Sequence, residues 1–197
     1  LHEVATGGVS RHNVVYSIHK LLNHSKRFSF LKGTVKNIDT KKKMVVADTF
    51  KTNYDLLILA TGSKINFFNI SGAETNAFPL RTLHDAYMVR NRVISQIELA
   101  EETNDSEKRK KLLSFVIVGG GATGVELAGE LSEYINTVIT PQYKRVKRQD
   151  VSIQLIHRRK EILNMLPEYY SKKCRQQLEK LGVKIHLTCD VKEVGKE

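Results

Sequence analysis

The chain has 197 residues, with 41% hydrophobic and 27% charged residues, which is enough for a buried core and ordinary for a globular protein. No apolar run approaches the roughly 20 residues of a membrane-spanning helix. No metal is expected, because the two cysteines, Cys174 and Cys189, form no C-x-x-C pair and the seven histidines show no zinc-ligand spacing. The net charge of +11 predicts affinity for anions such as phosphorylated cofactors, but basic and aromatic residues do not alternate as in single-strand binders, so nucleic acid is not expected as a partner.

In the first third of the chain, the apolar pattern predicts one helix and then several strands. The helix covers residues 12–24, where apolar side chains recur at helical spacing. Strands are expected at 28–30, 35–39, 42–46 and 56–59. The last of these, Leu-Leu-Ile-Leu, is apolar at every position, as in a strand buried on both faces. The small-residue turn Ala60-Thr61-Gly62 follows it.

The rest of the chain predicts an irregular crossing segment at 64–81, a helix from about Thr82, and a polar surface loop at 101–111. The basic runs 41–43 and 108–111 are interpreted as solvated loops. Strands and helices then alternate: strand 115–118, a helix to about Thr140 closed by Pro141, strand 151–156, helix 168–181 ended by Gly182, and strand 183–187. This alternation predicts an α/β fold with a Rossmann-like parallel sheet.

A glycine-rich turn lies between the strand at 115–118 and the helix that follows it. It reads Gly119-Gly120-Gly121-Ala122-Thr123-Gly124, which contains G-x-G-x-x-G in the strand-to-helix setting that gives this motif meaning. Gly119 permits the tight turn, Gly121 lets the backbone approach a pyrophosphate, and Gly124 lets helix and strand pack closely. A pyrophosphate would sit at the helix N-terminus, where free N–H groups favour an anion. These six residues are therefore the predicted site for a nicotinamide dinucleotide.

The end of the next strand bears on which dinucleotide binds. An acid at this point would accept a hydrogen bond from the ribose 2′-hydroxyl of NADH, but the chain has His157-Arg158-Arg159-Lys160 instead. Guanidinium groups bind phosphate in a bidentate manner. His157, Arg158 and Arg159 are therefore predicted to hold the 2′-phosphate of NADPH, with a solvated basic face as the alternative. Glu126, placed in the first turn of the helix, either stabilises that helix N-terminus or contacts the cofactor.

Three stretches together resemble the FAD-dependent pyridine-nucleotide oxidoreductases with two dinucleotide-binding domains. Within them, the chain is most similar to the type II NADH dehydrogenases, which are single-chain NADH:quinone oxidoreductases. The three stretches are Y-D-L-L-I-L-A-T-G-S at 54–63, V-I-V-G-G-G-A-T-G-V-E-L-A-G-E at 116–130, and Gly182-Val183-Lys184-Ile185. The segments at 1–7, 66–68, 78–82, 85–86 and 90–92 also resemble this family. The string 155–159 resembles instead the NADPH-binding strand end of thioredoxin reductases.

The resemblance implies a partial FAD-binding domain at 1–79, which contains Ala60, Thr61 and Gly62, and an NAD(P)H-binding domain at 80–197 that is incomplete at its C-terminal end. It implies an excerpt of a longer protein, inactive by itself, because the family's other flavin-binding segments are absent. Glu126 is the candidate catalytic residue, beside the nicotinamide. The cofactors would be FAD and NADPH or NADH. The electron acceptor would be a quinone, reached by peripheral attachment to the cytoplasmic face of the cell membrane, and a homodimer is left open.

Two other functions remain open at this stage. A disulfide or ferredoxin reductase of the same superfamily is one, although no C-x-x-C occurs and no cysteine precedes residue 115. A nucleotide-binding module without electron transfer is the other. The resemblance favours the quinone reductase over both.

Overall fold

The computed structural model describes residues 1–22 and 27–196. It contains two compact units, which we call the larger unit, Leu1–Val14 with Ile65–Glu197, and the smaller unit, Val15–Lys64. The predicted assignment of 1–79 to flavin and 80–197 to NAD(P)H concerns bound cofactors and stays a prediction. No helix in the described part of the chain is both long enough and apolar enough to cross a membrane.

The larger unit is an α/β structure built around a three-stranded parallel sheet, as predicted. Its helices are α1 His2–Ala5, α2 Arg11–Val14, α4 Ala73–Asn76, α5 Leu83–Glu102, α6 Ser106–Leu112, α7 Ala122–Tyr134 and α8 Glu168–Lys180. A π-helical turn at Ile135–Ile139 and 3₁₀ turns at Thr140–Gln142 and Arg148–Asp150 follow α7. Its strands are β4 Ser114–Val118, β5 Ser152–Ile156 and β6 Val183–His186.

The central strand of the parallel sheet is β5, which pairs with β4 on one side and β6 on the other. Ile153 and Leu155 on this strand are completely buried. The core around them includes Ile97 of α5 and Leu131 of α7. Because apolar β-branched and leucine side chains on the sheet pack against apolar helix faces, the sheet holds the start of α7 at the carboxyl end of β4.

Polar contacts connect α7 with the turn before β6. The Ser132 hydroxyl on α7 donates to the Leu181 carbonyl oxygen at 2.6 Å. The Arg148 guanidinium donates to that same oxygen at 2.8 Å and to the Ser132 hydroxyl oxygen at 3.1 Å. Ser132 is buried, so these bonds satisfy a polar group that would otherwise be costly to bury.

The smaller unit contains helix α3 Ile18–Leu22 and an antiparallel sheet of β1 Val35–Asp39, β2 Met44–Ala47 and β3 Lys51–Asn53. Val45 and Ala47, on the central strand β2, are its buried apolar side chains. Short turns connect consecutive strands, as in a meander. The strands predicted at 35–39 and 42–46 are confirmed to within about two residues.

Three predictions in the N-terminal third are wrong. The helix expected at 12–24 is two short helices, α2 and α3, and its residues 23 and 24 lie outside the described residues. No strand forms at 28–30, where Phe28 and Phe30 are exposed. Residues 56–59 form no strand either, and Leu56 and Ile58 are 81% and 78% exposed. A buried strand needs neighbouring strands to pair with, and no described strand pairs with this run.

Two further corrections concern the larger unit. Residues 106–112, expected within a loop, form helix α6, because Asp105 caps its N-terminus by accepting from the amides of Glu107 and Lys108. Lysines and an arginine in its last turn favour the helix C-terminus. The helix predicted to run to about Thr140 is α-helical as far as Tyr134 and continues as the π-helical turn, in which Val138 is exposed. Pro141 does not close it as predicted, because Thr140 keeps a helical conformation and the 3₁₀ turn includes Pro141.

Candidate dinucleotide-binding site

Hydrogen bonds to the last residue of β5 and to the loop that follows it hold the glycine turn between β4 and α7. The Gly119 amide donates to the Ile156 carbonyl oxygen at 2.9 Å. The Gly120 amide donates to Nδ1 of His157 at 3.0 Å, and the Gly120 carbonyl oxygen accepts from the Leu163 amide at 2.7 Å. The turn is therefore fixed on the side that faces the protein.

The glycines of the turn divide into two that are packed and two that face open space. A Cβ at Gly120 would lie 2.8 Å from Cγ of His157 and 2.9 Å from a methyl carbon of Ile162, and a Cβ at Gly124 would overlap the Gly119 carbonyl oxygen. A Cβ at Gly119 or Gly121 would meet no atom within 4 Å. Gly119 has φ +113°, a conformation that favours glycine. The open side is a cradle of bare backbone.

The N-terminus of α7 opens onto this cradle. Its N-cap is Gly121, and no side chain caps the helix. Ala122 and Thr123 at its first positions are exposed. The first amides of a 13-residue helix carry no intrahelical partner and bear the positive end of the helix dipole. The residues that the sequence assigned to a pyrophosphate therefore have the geometry of an anion site.

His157 contacts the glycine turn through its imidazole ring. Nδ1 accepts the Gly120 amide hydrogen, so the ring proton of the neutral form lies on Nε2, which is buried and has no hydrogen-bond partner among the described residues. Burial, followed by the positive charges of Arg159 and Arg158, lowers the pKa of His157. The sequence predicted His157 as a phosphate ligand, but burial disfavours the charged form of its ring and Nδ1 already accepts from the turn.

Arg158, Arg159 and Lys160 are exposed at the end of β5. The Arg158 guanidinium lies over the ring of Phe68, with its central carbon 5.0 Å from the ring centroid. Such a cation–π contact restricts a long side chain that would otherwise sample many rotamers. Arg158 is thus restrained beside Phe68, while the exposed Arg159 and Lys160 add positive charge next to it in the sequence.

Phe68 was not predicted as a site residue. It belongs to a tight turn in which the Ile70 amide donates to the Phe67 carbonyl oxygen at 3.0 Å. Phe68 and Asn69 have φ of 52° and 56°, which is the left-handed region required at both central positions of a type I′ turn. A bulky residue is uncommon there. Residues 66–68 gave only a family resemblance, because the partner of Phe68 is far away in the sequence.

Glu126 lies in the second turn of α7, since the helix begins at Ala122 and contains no acid in its first turn. The prediction that it stabilises the helix N-terminus from the first turn is therefore wrong. Its carboxylate forms an ion pair with Nδ1 of His2 at 3.1 Å when that histidine is protonated, and it remains half exposed. The N-terminal segment thus supplies a partner that the sequence did not suggest.

Ala60, Thr61 and Gly62, the predicted flavin contacts, lie in the smaller unit. All three are exposed in an irregular segment, and Gly62 has φ +75°. Three exposed residues do not by themselves enclose a flavin, so they do not form a flavin pocket alone. Their role remains a prediction.

A glycine turn that joins a parallel strand to a helix is the arrangement of dinucleotide-binding α/β proteins. The family model described as Pyridine nucleotide-disulphide oxidoreductase matches residues 1–197. The chain belongs to this family of FAD-dependent oxidoreductases. Within the family it is a homologue of the type II NADH:quinone oxidoreductases, as the sequence resemblance predicted.

Similar proteins include one from a bacterium and one from a plant. The chain is 30% identical over 200 residues to the type II NADH:quinone oxidoreductase Ndh of Mycobacterium tuberculosis, covering 100% of this chain and 43% of that protein. It is 32% identical over 210 residues to the external alternative NAD(P)H-ubiquinone oxidoreductase B2, mitochondrial, of Arabidopsis thaliana, covering 100% of this chain and 36% of that protein.

A solved structure, NDH2 of Plasmodium falciparum in complex with NADH, superposes with a TM-score of 0.85 at 26% identity and covers 99% of this chain. The chain covers 41% of that structure. The chain therefore spans less than half the length of the relatives it matches. The activity of a whole protein of this kind is accordingly a proposal for this chain.

Proposed function

We propose that the larger unit binds the pyrophosphate of NAD(P)H at the glycine turn of residues 119–124, as part of an NAD(P)H:quinone oxidoreductase. The observation that carries this proposal is the division of the glycines. Gly120 and Gly124 are packed against protein, whereas Gly119 and Gly121 face open space at an uncapped helix N-terminus. A glycine turn of purely structural use would not need bare backbone on its outer side.

We further propose that NADPH binds more tightly than NADH. Arg158 is exposed at the carboxyl end of β5, where dinucleotide-binding folds contact the adenosine ribose, and no acid stands at the strand end to accept from a 2′-hydroxyl. Arg159 and Lys160 increase the positive potential there. The names of the relatives mention both cofactors. One relative is an NAD(P)H-ubiquinone oxidoreductase, and the structure of another is a complex with NADH.

In the whole protein, FAD would supply the redox chemistry that connects NAD(P)H with a quinone. The residues of this chain would bind and orient the donor. Glu126, half exposed on α7 and adjacent to His2, is proposed to contact the nicotinamide. Peripheral attachment to the cytoplasmic face of a membrane, favoured by the basic charge, would give access to quinone.

A calorimetric titration of the purified protein with NADPH and NADH at fixed salt tests the proposal. We expect NADPH to bind at least about tenfold more tightly, which corresponds to roughly 1.4 kcal/mol. Arg158→Ala should remove the difference by weakening NADPH alone. Arg175→Ala is a suitable control, because it removes an arginine that pairs with Glu179 on α8 and so changes the net charge equally.

Each outcome separates one part of the proposal from the other. Equal or tighter binding of NADH would make Arg158, Arg159 and Lys160 a solvated basic face while leaving the dinucleotide site intact. Binding of neither ligand would contradict the dinucleotide site. An equal loss in Arg158→Ala and Arg175→Ala would show that net charge, rather than a specific phosphate contact, determines the preference.

A further inference from the structure

The imidazole ring of His157 is in direct contact with the backbone of Gly120. The imidazole lies directly beneath the turn, so that a single added carbon at Gly120 would overlap the ring. Nδ1 accepts the Gly120 amide hydrogen at 3.0 Å. The bond joins a side chain at the end of β5 to the backbone between β4 and α7. Gly120 and His157 are 37 residues apart in the sequence.

The backbone of His157 is itself fixed on both sides. Its amide donates to the His186 carbonyl oxygen at 2.8 Å, and its carbonyl oxygen accepts from the Cys189 amide at 3.1 Å. The residue therefore continues the pairing of β5 with β6, and its ring has a defined origin. A side chain held this way can position the turn above it, because its own position does not depend on the turn.

We propose that His157 is a positioning residue that holds the glycine turn in its binding conformation for NADH and NADPH alike, and is not a ligand of the 2′-phosphate. The inference rests on the proposed dinucleotide site. Neither ring nitrogen is available to a phosphate. Nδ1 already accepts from Gly120, and Nε2 is buried, so neither nitrogen faces the solvent from which a phosphate would approach. Recognition of the phosphate is left to the exposed Arg158 and Arg159.

The neutral state of the ring is required by the same geometry. A proton on Nδ1 would set two donors, the ring N–H and the Gly120 N–H, against each other. The charged groups around the ring favour neutrality, because Arg158 and Arg159 disfavour a further positive charge. Burial of the ring disfavours the charged form as well, whereas the backbone of Glu161 favours it. His186 and Cys189 contact His157 through their backbone atoms.

Two substitutions distinguish a positioning role from a phosphate contact. His157→Ala removes the acceptor, and loss of one hydrogen bond should weaken NADH and NADPH by the same factor, about two- to tenfold. His157→Asn places an amide oxygen near the position of Nδ1 and should restore the affinity for both ligands. Arg158→Ala is the contrasting variant, in which NADPH alone should lose affinity.

The measurement is calorimetric titration of wild type and the three variants with both ligands, with circular dichroism melting curves as a check on folding. Loss of NADPH affinity alone in His157→Ala, or unchanged affinity for both, would overturn the inference while the dinucleotide site stood. If His157→Ala failed to fold, His157→Asn would decide, because a selective loss of NADPH there would equally contradict a positioning role. Absence of binding to the wild type would overturn the proposed function and this inference with it.

Discussion

The guanidinium carbon of Arg158 lies 5.0 Å from the centre of the Phe68 ring, so the arginine at the end of β5 rests on an aromatic side chain from a distant turn. Directly after this turn, the Ser71 carbonyl oxygen accepts from the Val194 amide at 2.8 Å. The Phe68 amide donates to the Asn66 side chain at 2.8 Å. Phe68 thus has a defined position from which to restrict Arg158.

Replacing Phe68 by alanine should weaken NADPH and leave NADH unchanged. The ring restricts Arg158 before the ligand arrives, and loss of a cation–π contact of about 0.5–1 kcal/mol corresponds to a factor of about two to five. Calorimetric titration with both ligands measures this difference. Phe78→Ala is the matched control, because Phe78 is also exposed and its ring centroid lies 5.8 Å from the guanidinium carbon of Arg92. Arg92 belongs to α5, which does not carry the glycine turn. A similar loss in both variants would contradict a specific role for Phe68.

Gly124→Ala should destroy the site or the fold of the larger unit. The new methyl group would overlap the Gly119 carbonyl oxygen, so α7 could not remain close to β4. Gly129→Ala on the same helix is the matched control, because its methyl group would lie 3.7 Å from a Leu178 methyl carbon, an ordinary contact. That change should be neutral or stabilise by up to about 1 kcal/mol. Denaturant unfolding and NADPH titration of both variants test the contrast, and unchanged binding in Gly124→Ala would refute it.

Acidification should destabilise the protein through His157. Because burial and the neighbouring arginines lower its pKa in the folded state, the unfolded chain binds more protons once the pH falls below about 6.5, the usual histidine pKa. The contribution to stability is therefore present above that pH and is lost as the pH falls through the lowered pKa. The urea concentration at the unfolding midpoint should differ more between about pH 7.5 and about pH 5 for wild type than for His157→Asn, because asparagine does not titrate. Equal differences would show that other groups cause the effect.

Thr82→Ala should destabilise the larger unit by about 1 kcal/mol, because it removes the cap of its longest helix. The Thr82 hydroxyl accepts from the Asp85 amide at 3.1 Å, and the Asp85 carboxylate accepts from the Thr82 amide at 2.7 Å. Urea denaturation measures the change. Thr137→Ala provides the control, because that exposed hydroxyl donates only to the carbonyl oxygen of Glu133 one turn earlier. Comparable losses of unfolding free energy in the two variants would mean that the cap stabilises the protein no more than an exposed threonine within a helix does.

The sequence alone determined the parallel sheet, its helices and the glycine turn, because each depends on residues that are close together in the chain. Apolar strands, helical periodicity and the spacing of Gly119, Gly121 and Gly124 are local patterns, and the physical demands on them are local too. The helix at 106–112 was missed because its caps are short-range signals hidden in a polar composition. The family was also recognisable from these motifs.

Only the tertiary structure decided what the residues after β5 contact. A basic string at a strand end cannot reveal that His157 turns inward to Gly120 while Arg158 turns outward to Phe68, because those partners lie far away in the sequence. The same reason explains residues 56–59, whose apolar pattern favours a buried strand. Burial depends on the neighbours that the fold supplies, and the described residues supply none that pair with this run.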